Sequence, residues 1–170
     1  MDWLAPLGTL VGAAVGVGTG LTVDRFRRRH DSADRWLQTR RTVYVDFLTA
    51  LSRGHSELRA ATFREDLSDA ARFGALHQAL DGSGIWTCRQ TLSLTAPTEI
   101  ISLGIDAAKA LEQVRDTLIT EPDVRSEPYL RARADLWKVN ADLREAMRKD
   151  LRLDLPPDPE VGLHRHQRPD

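Results

Sequence analysis

Two histidines, one cysteine and a glycine-flanked serine are the side chains of this sequence with the widest chemical reach. His55 and His77 both fall on the apolar stripes of helix-patterned stretches. A metal centre in a helical bundle would call for Glu-x-x-His pairs, and a zinc hydrolase for His-Glu-x-x-His. Neither spacing occurs. Each histidine therefore reads as a core residue rather than a ligand. Cys88 has no basic neighbour except Arg89, and a thiol needs nearby positive charge to become a nucleophile. It is expected to pack inside the fold. Gly82-Ser83-Gly84 lacks the preceding strand and the partnered base of a nucleophile elbow. Asp106, Glu112 and Asp116 sit at ordinary solvated helix spacings, and no Walker glycine loop is present. The residues thus assign no catalytic group, no metal and no cofactor, and the expected protein is not an enzyme.

One glycine-rich stretch carries more information. Gly16-Val17-Gly18-Thr19-Gly20 follows Leu10–Val15 as a dinucleotide loop would follow a strand. The third glycine of that fingerprint would stand at Leu21, and no βαβ unit comes after it. The wider context reads differently. Trp3 to Val23 contains no charged residue, and 21 residues of helix rise about 31 Å, the thickness of a bilayer core. Thr9, Thr19 and Thr22 can bond back to their own helix, and Pro6 falls in the first turn, where its missing N–H costs nothing. The stretch is expected to be a single transmembrane helix. A cleaved signal peptide fits badly, because the basic residues follow the apolar run instead of preceding it.

Those basic residues set orientation. Arg25, Arg27, Arg28 and Arg29 lie just after the span, whereas only Asp2 precedes it. The positive-inside rule puts the N-terminus outside and the body in the cytoplasm. The same four arginines are expected to touch anionic lipid headgroups. Within the span, Gly8, Gly12, Gly16 and Gly20 recur at every fourth position and form one smooth ridge. Small-xxx-small ridges let two helix backbones approach closely, so self-association through these glycines is expected.

The remaining chain must supply the body. Of 170 residues, those from 31 onward are enough for one domain with its own core. The net charge of −1 and the absence of a basic stripe beyond residue 30 argue against a nucleic-acid partner. A first helix is expected over about Asp31–Ala61, with Leu37, Tyr44, Leu48, Leu51 and Leu58 at three-four spacing. A second starts near Asp66, with Phe73, Leu76 and Leu80 inward, and breaks at Asp81-Gly82-Ser83-Gly84. Ile85–Thr95 has strand-like composition but nothing to pair with, and is expected to continue the second helix after a kink. Pro97 and Glu99 open a third arm whose stripe is Ile100, Ile101, Gly104, Ala107, Ala108, Leu111, Val114 and Leu118. The last runs over about Pro128–Leu151, with Leu130, Leu136, Trp137, Leu143 and Met147 inward. From Asp154 onward the prolines and scattered charges read as a disordered tail, in which His164-Arg165-His166 is solvated.

The expected fold is therefore all-α. A transmembrane anchor with its basic segment (1–30) precedes an antiparallel four-helix-bundle-like domain (31–153) and a proline-rich tail (154–170). Three stretches carry a resemblance: Arg41-Thr42-Val43-Tyr44-Val45-Asp46-Phe47-Leu48, Leu92–Ile100 and Ala146-Met147-Arg148-Lys149-Asp150-Leu151. They resemble patterns in small actinobacterial proteins of unknown function that share an Arg-x-x-Tyr-x-x-Phe-Leu helix, a Pro-x-Glu helix start and a closing Met-Arg-x-Asp-Leu. Many of those proteins carry an N-terminal hydrophobic anchor, so the resemblance implies architecture and location and transfers no catalytic residue. The expected function is a membrane-tethered cytoplasmic interaction module with membrane lipid, a second copy and an unidentified protein as partners. A pore-forming oligomer of the glycine helices and an enzyme using the bundle core are the alternative readings.

Overall fold

The computed structural model describes residues 35–64 and 67–153. Every regular element among them is a helix: α1 (residues 35–62), α2 (Asp69–Gly82), α3 (Ile85–Thr95), α4 (Thr98–Thr120) and α5 (Glu127–Asp150). The fold of the described residues is all-α. None of these helices is long and apolar enough to cross a membrane. The uncharged run Trp3–Val23, the glycine ridge, the arginines at 25–29 and the tail from 154 all lie outside the described residues. The hydrophobic core is built by residues of the unit that begins at Arg40.

Local chemistry explains where the helices start and stop. Ser68 caps α2 by accepting from the Ala71 amide, so the helix begins at Asp69 rather than near Asp66. Ser126 caps α5 through the Tyr129 amide, with a proline in the first turn and Arg148 and Lys149 against the dipole in the last. The break between α2 and α3 is a single buried device. The Ser83 hydroxyl donates to the Leu80 carbonyl at 2.6 Å and accepts from the Ile85 amide at 3.2 Å. Gly84 turns the chain at φ 78°, a left-handed conformation that glycine adopts without steric cost.

The core fills along each helix with the period of an α-helix. On α4 the buried positions are Ile100, Gly104, Ala107, Ala108, Leu111, Val114 and Leu118, as its spacing predicts; Ile101 is only partly covered. At Gly104 an added Cβ would come within 2.6 Å of Leu92 Cδ2, so the Leu92 side chain of α3 packs directly on the α4 backbone. Helix α1 runs antiparallel to α5: Arg40 meets Asp150 near one end and His55 meets Tyr129 farther along. Leu51, Leu58, Leu80, Leu111 and Leu118 are all but fully buried, and each such side chain contributes about 2 kcal/mol of transfer free energy.

Two inward assignments fail, and others are met only in part. Phe73 is 51% exposed because only the C-terminal half of α2, at Leu76, Ala79 and Leu80, enters the core. Its ring packs on His77 at 4.4 Å instead. Leu130 is exposed because the α5 stripe passes through Tyr129, Ala132, Leu136 and Asn140, leaving the next residue about 100° around the helix. Trp137 lies at the edge of that stripe, partly covered, with its ring on His55.

Candidate functional site

The side chains with chemical potential do not converge on one centre. They form two polar knots that tie α1 to α5, two surface clefts and one buried junction.

The first knot stands where α1, α3 and α5 come together. Arg40 Nη1 donates to both carboxylate oxygens of Asp150, at 2.8 and 3.0 Å, while its Nε donates to the Thr95 carbonyl at the end of α3, at 3.1 Å. The Tyr44 hydroxyl donates to Asp150 Oδ2 at 2.6 Å. Both charged side chains are mostly covered, 22% and 15% exposed. Burial first, and then the Asp150 hydrogen bond and charge, push the Tyr44 phenol well above its ordinary range; Arg40 opposes this weakly. A phenol held protonated against a carboxylate that already has a guanidinium has no proton to lend at neutral pH. The arrangement is a clamp. It also joins the three stretches singled out in the sequence, because Tyr44, Thr95 and Asp150 come one from each.

The second knot is built on His55, which is 7% exposed. Its Nε2 lies 3.3 Å from the buried Tyr129 hydroxyl, and the Trp137 ring meets the imidazole edge-on at 5.4 Å. Burial above all, aided by the positive charges of Arg59 and Arg133, lowers its pKa to about 4. Burial raises the Tyr129 phenol, against the same two arginines. At neutral pH both groups are uncharged and sealed in the core, and neither can pass a proton to a substrate unless the helices part. This matches the reading of His55 as a core histidine. His77 stands apart on α2 against Phe73, so the structure does not bring the two histidines together.

The clefts are shallow. One, of about 430 Å³, is lined by Asp46, Thr49 and Arg53 of α1 and by Gly84, Thr87 and Cys88. Burial and the nearby Asp46 carboxylate raise the Cys88 thiol, with Arg53 opposing, so it is a poorer nucleophile than a free cysteine. The other, of about 280 Å³, lies between α2 and α4 beside Arg72, Phe73, Leu76 and Leu118. Ser83, the centre of the glycine-flanked motif, has its hydroxyl committed to the α2–α3 junction. No group of three metal-ligating side chains occurs among the described residues.

The helix-contact glycines Gly8, Gly12, Gly16 and Gly20 and the headgroup arginines Arg25, Arg27, Arg28 and Arg29 lie outside the described residues. Sequence reasoning missed the Arg40–Asp150 pair, whose partners are 110 positions apart. It also missed Asn140, which occupies a core position of α5 with its side-chain oxygen buried and without a donor. For Asn140 the signal was there: a polar residue at three-four spacing between Leu136 and Leu143. No protein-family model matches the chain, and neither a curated protein nor a solved structure matches it.

Proposed function

We propose that this protein is a single-pass, membrane-tethered helical interaction module whose body lies in the cytoplasm and which self-associates through the glycine ridge. The observation that carries the reading is the uncharged run Trp3–Val23 followed at once by Arg25, Arg27, Arg28 and Arg29. Such a run is long enough to span, and its flanking charge is cytoplasmic by the positive-inside rule. The state of the polar groups favours an interaction role over catalysis. Tyr44, Asp150 and Arg40 are spent on one another, His55 and Tyr129 are closed in the core, and Ser83 stitches a helix junction. The arginines would contribute about 1 kcal/mol each at an anionic surface.

The ridge is the part most open to test. In Gly12→Ile/Gly16→Ile each added branched side chain holds two backbones apart, while the span becomes more apolar. Insertion should improve as crosslinked oligomer declines. Val11→Leu/Val15→Leu, on another face, should leave oligomer unchanged. Equal oligomer in the glycine double variant and the parent would sink self-association through the ridge. A cytoplasm-only reporter fused after Asp170 should be active; an external-only reporter working there would overturn the orientation.

A further inference from the structure

We propose that the end of the body at which α1 begins and α3 and α5 finish is itself a membrane-contact surface, which sets leucine side chains into an anionic bilayer. The inference rests on the tethered reading above and names the surface of the body that would meet the bilayer.

In chain order this end follows the uncharged run: Val23, the last residue of that run, and Arg40 are 17 positions apart. Arg40 identifies the three elements that meet there, through Asp150 of α5 and the Thr95 carbonyl of α3. Two large apolar side chains stand uncovered beside these contacts. Leu94, next to Thr95, is 82% exposed, the most exposed of the large hydrophobic residues described, and Leu153, three positions past Asp150, is 43% exposed. A leucine that finds no cover in its own fold gains about as much from lipid as from a core.

The charge around them suits an anionic surface. The last two turns of α5 with Arg152 carry four cations against two carboxylates, α1 adds Arg40 and Arg41, and the α3–α4 junction adds Glu99. This leaves three positive charges at one end of a chain whose total is −1.

Backbone conformation adds an independent sign. Arg152 has φ 53°, the only positive φ at a non-glycine residue among those described. The Leu153 amide donates to the Arg148 carbonyl at 3.1 Å and the Arg152 amide to the Lys149 carbonyl at 3.0 Å, the helix-ending pattern in which glycine is the favoured residue. The leucine that follows would ordinarily fold back on the helix, but here it remains substantially exposed. An arginine kept where glycine is easier, next to an exposed leucine, sets a cation and an apolar side chain side by side on the surface.

The test uses the full chain with Cys88→Ser, carrying one environment-sensitive fluorophore at Leu94→Cys, at Leu153→Cys or, at the opposite end, at Glu121→Cys. Vesicles are phosphatidylcholine alone or phosphatidylcholine with phosphatidylglycerol, each with brominated acyl chains that quench on contact. Labels at 94 and 153 should be quenched in the anionic vesicles, more weakly in the neutral ones, and the label at 121 in neither. Adding Arg152→Gly should raise the melting temperature, because the strain is relieved. It should also lower the ratio of quenched to unquenched label at 94 by about fivefold, the effect of one cation at the surface. If the chain pellets with vesicles while 94 and 153 report water, the contact is overturned and the anchor stands. Loss of pelleting overturns both. A blue shift at 94 without quenching would mean that protein covers this end, and equal quenching at 121 would mean that no end is singled out; either refutes the proposal.

Discussion

Replacing His55 with Leu should remove a defined portion of this protein's acid sensitivity. In the folded chain the imidazole titrates at about 4, because its charged form would be buried among Tyr129, Trp137 and the cationic neighbours Arg59 and Arg133. In the unfolded chain it returns to 6.5. Since the folded value is the lower one, the unfolded state takes up the proton first as pH falls. His55 therefore costs nothing above 6.5, and stability drains between 6.5 and about 4. At about 1.4 kcal/mol per pKa unit the full loss is about 3 kcal/mol, and about 2 kcal/mol of it has accrued by pH 5. That is a large share of the ~5–15 kcal/mol by which a domain is stable. At pH 7.5 His55→Leu leaves the Tyr129 hydroxyl without its partner, which costs about 1 kcal/mol. Urea melts followed by circular dichroism on the full chain in mild detergent, at pH 7.5, 6 and 5, would read the difference. The variant should begin slightly less stable than the parent and overtake it by pH 5. Parallel curves for the two proteins would refute a histidine buried in the neutral form.

Asp150→Ala should cost about 2–4 kcal/mol in the same melts, because it removes the carboxylate that accepts from both the mostly covered Arg40 guanidinium and the buried Tyr44 phenol; Tyr44→Phe should cost about 1 kcal/mol. Both tyrosines of the chain, Tyr44 and Tyr129, have phenols raised above 10.0 by burial. The stability this reflects is intact below pH 10 and is lost as pH climbs past it, so tyrosinate absorbance at 295 nm should develop only together with unfolding. Asn140→Leu should be neutral or stabilising by up to about 1 kcal/mol, since it replaces a side-chain oxygen that has no donor with apolar volume of similar size; a loss of more than that would reveal a partner for the amide.

Much of the body was legible from residue order alone, because helices are local objects. The α4 stripe and the kink at Ser83-Gly84 each depend on residues within a few positions of one another. A period of 3.6 or a turn signal is therefore enough to find them. The same locality explains the errors. A single helix pattern cannot say how far along its length a neighbour extends, so periodicity puts Phe73 inside although α2 is covered only at its C-terminal half. Nor can it choose between Tyr129 and Leu130, adjacent residues that could each anchor a stripe.

The uncharged run, the arginines behind it and the glycine ridge are properties of sequence, and so is the tethered reading drawn from them. The clamp of Arg40, Tyr44 and Asp150 was settled only by folding, as were the lowered titration of His55 and the shared end of α1, α3 and α5. Charge pairing and desolvation fall off over a few ångströms of space, and the chain brings residues 110 positions apart within that range only after its helices have packed.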